Sequence, residues 1–183
     1  DSPSPVSTLS ASAGDKAVLL NWTAAQPNGQ PILSYKVTAT PGGATCVTTQ
    51  TSCTISGLRN GLNYSFSVVA SNVLGNSAAT VSSRVVPRGL PVAAASIRAV
   101  SPSKGVTTVT WLGASANGAS LVKYEYQFRL KSNRPWSVWK SAGTKPSVTL
   151  KPLAKGKTYQ LKVRITTSLG VATSKVLVFV PGK

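Results

Sequence analysis

LRNGLNYSFSVVASNVLG, residues 58–75, is the stretch whose reading decides the fold. Tyr64, Phe66, Val68 and Ala70 recur at period two and share one face of a strand, while Ser65, Ser67, Val69 and Ser71 take the other. A turn at Gly61 feeds this strand. The same design returns at residues 153–170, LAKGKTYQLKVRITTSLG, with Tyr159, Leu161, Val163 and Ile165 in the inward positions. Two copies in 183 residues imply two domains of roughly ninety residues, each large enough to bury its own core.

Outward from these two strands the chain reads as all β. Val, Thr and Ser dominate, 15 Gly and 12 Pro act as punctuation, and no window carries the three-and-four apolar spacing of a helix. In the first half, Val6 and Leu9 open a strand after a proline-containing lead-in. Residues 16–23 follow, with Val18, Leu20 and Trp22 on one face and Trp22 as the natural centre of a core. Residues 24–30, AAQPNGQ, form a loop by their Pro and Asn-Gly signals. Residues 32–40 alternate Leu33, Tyr35, Val37 and Ala39; short strands follow at 45–49 and 53–56, and residues 78–86 close the domain. Seven strands separated by turns predict a two-sheet sandwich.

The second half repeats this plan in two registers. An offset of 89 places Trp22 on Trp111, Asn28-Gly29 on Asn117-Gly118 and Tyr35 on Tyr124. An offset of 95 places Leu58 on Leu153, Gly61 on Gly156 and Tyr64 on Tyr159, which puts an insertion of six residues between the third and sixth strands. The expected division is residues 1–88, a short linker at 89–91 within RGLP, and residues 92–183.

Both halves resemble fibronectin type III domains, which carry a Trp on the second strand, a Tyr at the start of the third, and a Leu-(x)n-Gly-x-x-Tyr corner leading into the sixth. Residues 70–77, ASNVLGNS, are similar to the family's A-x-N-x-x-G-x-S ending, from which the second copy departs. The resemblance implies tandem immunoglobulin-like antiparallel β-sandwiches and gives Tyr64 and Tyr159 structural roles, their hydroxyls bonding back to nearby backbone. Cys46 and Cys53, the only cysteines, flank the turn before the fifth strand, where a hairpin would bring them within bridging distance. Their C-x6-C spacing before T-I-S-G-L resembles that of secreted bacterial members, which implies a disulfide and an oxidising compartment, outside the cell or on its surface. Two separate thiols in a cytosolic domain are the alternative.

Several function classes are argued against by composition. With no His, two Asp and one Glu, the chain lacks a general base near neutral pH, a Ser-His-Asp set and a carboxylate pair for glycoside hydrolysis. Two thiolates leave a tetrahedral zinc short of ligands, the scattered acids make no calcium cage, and no glycine-rich phosphate loop precedes a helix. No cofactor is expected. No apolar run approaches the roughly 18 residues of a membrane span, and no signal peptide is recognisable. A start at Asp1 with no Met anywhere fits a processed form or an excised fragment.

Charge is the unusual property. The total is +17, but residues 1–90 hold five bases against two acids, and residues 91–183 hold fifteen against Glu125 alone. Such an excess attracts polyanions. If Tyr124, Tyr126, Phe128 and Leu130 face the core, strand parity sends Lys123, Glu125, Gln127, Arg129 and Lys131 to solvent, with Lys162 and Arg164 beside them on the sixth strand. Lys140, Lys145, Lys151, Lys155 and Lys157 crowd the neighbouring turns. Arg134, Trp136 and Trp139 lie in the inserted segment RPWSVWK; being three apart on a strand, the two tryptophans would take opposite faces, leaving one ring exposed beside cations. The candidate polyanion-binding set is therefore Lys123, Arg129, Lys131, Arg134, Trp136, Trp139, Lys140, Lys162 and Arg164. The plainer alternative is that one ring covers a sheet edge and the lysines block strand pairing.

Three functions follow as expectations. One is a non-enzymatic extracellular structural or adhesive module that spaces, assembles or presents parts of a surface protein or filament, with copies of itself as possible partners. A second is a module binding an acidic glycan, wall polymer or acidic protein surface. The third, an accessory part of a polysaccharide-degrading enzyme, follows from the resemblance alone. No specific nucleic acid is expected, since no nucleic-acid motif accompanies the charge. Arg-Gly-Asp is absent.

Overall fold

The alternation at residues 64–70 becomes the spine of a sheet: Tyr64, Phe66, Val68 and Ala70 are all buried. The computed structural model describes residues 1–131 and 134–182, and among these it contains strands and no helix. Two compact units result, Asp1–Gly89 and Leu90–Lys183.

The first unit contains β1 (Ser7–Gly14), β2 (Ala17–Thr23), β3 (Ser34–Thr40), β4 (Thr45–Thr48), β5 (Ser52–Ser56), β6 (Ser65–Asn72), β7 (Gly75–Asn76) and β8 (Thr80–Val81). One sheet runs β1-β2-β5; the other runs β4-β3-β6-β7, with β8 also on β6. The second unit repeats the plan with β9 (Ser96–Ser103), β10 (Val106–Leu112), β11 (Leu121–Leu130), β12 (Lys140–Gly143), β13 (Ser147–Leu150), β14 (Tyr159–Thr167), β15 (Gly170–Thr173) and β16 (Leu177–Phe179). Its sheets are β13-β10-β9 and β12-β11-β14-β15, with β16 on β14.

Each core is built from the inward positions of both sheets. Trp22 packs on Tyr35 with ring centroids 5.5 Å apart, and Trp111 on Tyr124 at the same 5.5 Å. The corner tyrosines are equally alike: Arg59 N–H donates to the Tyr64 hydroxyl and Ala154 N–H to that of Tyr159, both at 3.1 Å. Asn28-Gly29 and Asn117-Gly118 hold successive left-handed φ values, 51° and 91° in one turn and 53° and 83° in the other. That conformation favours this residue pair. Asn28 then donates its amide to Ser2 O and Asn117 to Leu90 O, so each turn pins the lead-in of its own unit.

Four expectations are corrected. Leu33 lies outside β3 and is 54% exposed, so the third strand starts inward at Tyr35. Residues 78–86 do not form one closing strand: only β8 and an isolated Tyr64–Val85 bridge remain, bringing the first unit to eight strands rather than seven. Serine side chains cause the break. Ser77 and Ser82 each donate backbone N–H to β6 and accept on Oγ the N–H of Ala70 or Phe66, where a continuous strand would offer its own carbonyl. The Cys46–Cys53 disulfide is present but spans no hairpin; Cys46 is on β4 and Cys53 on β5, in opposite sheets, so the bond straps the sandwich together. In the second unit, Tyr126 and Phe128 only half-bury against the core, and Leu130 lies outside it.

Candidate functional site: the outer face of β11 and β14

The pairing of β11 with β14 sets Glu125 opposite Arg164, Gln127 opposite Lys162 and Arg129 opposite Gln160 on the outward side of the sheet. Successive outward bases on β14 are two residues apart, about 7 Å along the strand, which leaves room for one aromatic ring between neighbouring cations. Residues 134–139 supply the rings. They fold back over this face without forming a strand, held where Ser137 N–H donates to Phe128 O at 3.1 Å and Ser137 Oγ accepts from Phe128 N–H at 3.2 Å. This is the serine device of β6, used again.

Both tryptophans consequently lie on the outer face, and neither enters the core, correcting the expectation of one in and one out. Strand parity does not govern a segment that is not a strand. The result is a ladder. The Arg129 guanidinium carbon sits 4.5 Å from the Trp136 ring centre, Lys162 Nζ lies 4.8 Å from Trp136 and 5.7 Å from Trp139, and the Arg164 guanidinium carbon is 4.2 Å from Trp139. Each contact at such a half-buried place is worth about 1 kcal/mol.

Glu125 anchors the far end. It accepts from Arg164 Nε at 2.7 Å and pairs with Lys123 Nζ at 2.9 Å, and Thr166 Oγ1 donates to it at 3.3 Å. The Arg164 hydrogen bond is the main cause, with Lys123 adding to it, that lowers its pKa from 4.5 to about 2 against an opposing effect of burial. Glu125 is 5% and Gln127 7% exposed, so the expectation that both face solvent is overturned by the folded-back segment. Gln127, oriented to satisfy both ends of its amide, accepts from Lys162 Nζ at 2.9 Å and donates to Ser137 O at 3.1 Å. Arg129 Nε donates to Gln160 at 2.7 Å and its terminal nitrogen to Arg134 O at 3.4 Å.

Of the expected set, Lys123, Arg129, Trp136, Trp139, Lys162 and Arg164 come together. Lys131 and Arg134 are exposed beyond the end of β11. Lys140 stands apart, opposite Tyr126 on the edge strand with Nζ 5.6 Å from the Phe128 ring, on the core side of the sheet. Sequence reasoning missed Glu125 and Gln127 as the polar floor of the site. A lone acid between bases at period two, facing bases at period two, was the available signal. Chemically, the ladder is a positive surface in which each tryptophan ring is approached by two cations of the same sheet. Among the described residues no group of three or more His, Cys, Asp or Glu gathers to hold a metal.

Paired sheets, a tryptophan against a tyrosine at the core and a tyrosine corner in each unit define an immunoglobulin-like sandwich used twice. Residues 2–86 match the family model for the fibronectin type III domain, so the first unit is a member of that family and the second repeats its fold. The crystal structure of chicken CNTN1 FN1-FN3 domains superimposes with a TM-score of 0.67 at 22% identity, covering 100% of this chain and 68% of that one, which bears on fold alone. The Kelch domain-containing protein SSO1033 of Saccharolobus solfataricus is 26% identical over 179 residues, 98% of this chain. The chain spans only 24% of that relative's length. Domains of this family are typically non-catalytic modules, and a disulfide of this kind belongs to oxidising surroundings. Among the described residues no helix is long and apolar enough to cross a membrane.

Proposed function

We propose that this chain is a non-enzymatic extracellular structural or adhesive module that spaces or presents other parts of a surface protein or filament. One observation supports this reading most: each unit closes its own core and locks the edge of its larger sheet. In the first unit the lock is a covalent strap from β4 to β5. In the second it is the tryptophan segment laid beside β11 before β12 begins. Serine interruptions at Ser77, Ser82 and Ser174 keep other edges from offering long continuous ladders to foreign strands. These devices resist extension and unwanted pairing, the two demands on a spacer.

Pulling the intact chain by its ends tests this. A spacer unfolds in two separate, force-resisting steps, and reduction lengthens only the first unit's step, by about 2.5 nm for the seven-residue separation of the cysteines. A single low-force extension without discrete steps would contradict the reading.

A further inference from the structure

The ladder consumes Lys123, Arg129, Lys162 and Arg164, so the remaining charge of the second unit must be sought elsewhere. Much of it gathers at one end of the sandwich, away from the Val92–Ser115 bridge where the chain enters this unit. Three backbone contacts assemble that end. Lys131 N–H donates to Thr158 O at 2.8 Å, Leu153 N–H to Gly105 O at 3.0 Å and Lys157 N–H to Ala154 O at 3.4 Å. These draw Lys104, Lys131, Lys151, Lys155 and Lys157 onto neighbouring turns, and all five are exposed. Between them Leu130, Lys131, Gly156, Lys157 and Thr158 line a shallow, open cleft of about 330 Å³.

We propose that this lysine pole, and not the tryptophan face, is where the chain binds a linear acidic polysaccharide. Glu125 is the only carboxylate side chain of residues 90–183, and it is engaged by Arg164 and Lys123, so no other acidic side chain of the unit offsets the pole. Ammonium groups without partners keep their full attraction for closely spaced oxyanions, whereas ladder cations would have to give up ring and carboxylate contacts to do the same. The polymer class follows from what the pole lacks. Among the described residues the aromatic rings nearest to it are already engaged: Trp136 and Trp139 carry cations, and Tyr159 is stacked on Phe179 with centroids 5.8 Å apart. Single-stranded nucleic acid relies on such faces, while a sulfated or carboxylated glycan needs only spaced charge and a groove. Gly156 leaves its part of the cleft wall open, with nothing within 4 Å of the place where a Cβ would stand. This inference rests on the adhesive half of the proposed function.

The test measures binding of the intact chain to heparin, a sulfated polysaccharide, and to duplex DNA in 150 mM NaCl. It compares K131E/K155E/K157E with R98E/K145E/K175E, which changes the charge equally at exposed positions elsewhere in the unit. Saturable heparin binding that weakens at least tenfold in the first variant and less than threefold in the second supports the pole. Equal losses in both variants, no heparin binding at this salt, or duplex DNA binding as tightly as heparin would each overturn it. Should the first variant fail to fold, K131Q/K155Q/K157Q makes the same comparison against R98Q/K145Q/K175Q. The pulling experiment does not depend on these lysines, so a chain that unfolds in two steps but binds no heparin loses the pole and keeps the spacer.

Discussion

The two units share a scaffold and differ in how they hold one edge of it. In the first, β3 leads through a short turn into β4, and Cys46 on that edge strand is tied to Cys53 in the opposite sheet. In the second there is no cysteine, and a longer connection lays Trp136 and Trp139 over the outer face of β11 and β14 before the edge strand starts at Lys140. One unit secures its edge covalently and across the core; the other does so on the surface, with rings between cations. The comparison teaches that the basic excess of the second unit has two uses. Some of its cations are engaged by rings and by Glu125, while Lys104, Lys131, Lys151, Lys155 and Lys157 stand exposed at one end of the unit.

A second difference runs through the turn after the sixth strand. Asn72 in the first unit accepts from Leu74 and Gly75 N–H and also donates to Asp1 O and Pro27 O, so it joins the turn to the lead-in. Thr167, its counterpart by the 95-residue offset, accepts from Leu169 N–H at 3.2 Å and donates to Gly170 O at 3.3 Å. A shorter side chain keeps the turn and forgoes the reach. This explains how the second unit departs from the family's ending without losing the fold.

The largest expected separation of the two units comes from reduction. Opening the Cys46–Cys53 loop should lower the stability of the first unit by about 2.5 kcal/mol and leave the second unchanged, as read by urea unfolding with and without reductant. A loss in both units would break the comparison. Acid should then act on the second unit. The Glu125 carboxyl titrates near 2 when folded against 4.5 ordinarily, so its ionised form stabilises the fold above about pH 4.5, and that contribution fades as pH falls towards 2. With Lys123 well exposed to screening solvent, the loss is about 2 kcal/mol. Calorimetry from pH 6 to pH 2 should find it in the second unit's transition, and Glu125→Gln should lower stability at pH 6 and flatten that slope. An unchanged slope in the variant would remove Glu125 as the anchor.

How far this arrangement could be read beforehand depended on regularity. Tyr35, Val37, Phe66, Val68, Leu161 and Val163 were legible as core because period two holds wherever a strand has one buried face. The corner tyrosines were legible through the resemblance of residues 58–64 and 153–159 to the fibronectin type III corner. Residues 134–139 were not, because parity assumes a strand and Ser137 replaces the backbone ladder with its own hydroxyl. The burial of Glu125 and Gln127 was lost with it, since nothing in β11 itself says that another segment will cover its polar face. The cysteine pairing could be anticipated but its route could not: the crossing from one sheet to the other between β4 and β5 leaves no mark in the turn residues that a hairpin would not also carry.

The smallest expected effect is also the most direct test of the account, because it isolates a single rung of the ladder. A double-mutant cycle between Arg164→Met and Trp139→Leu, read by denaturant unfolding of the second unit, should return a coupling energy of about 1 kcal/mol. A coupling indistinguishable from zero would mean that ring and cation merely lie near each other, and that Arg164 belongs with the free charges of the surface.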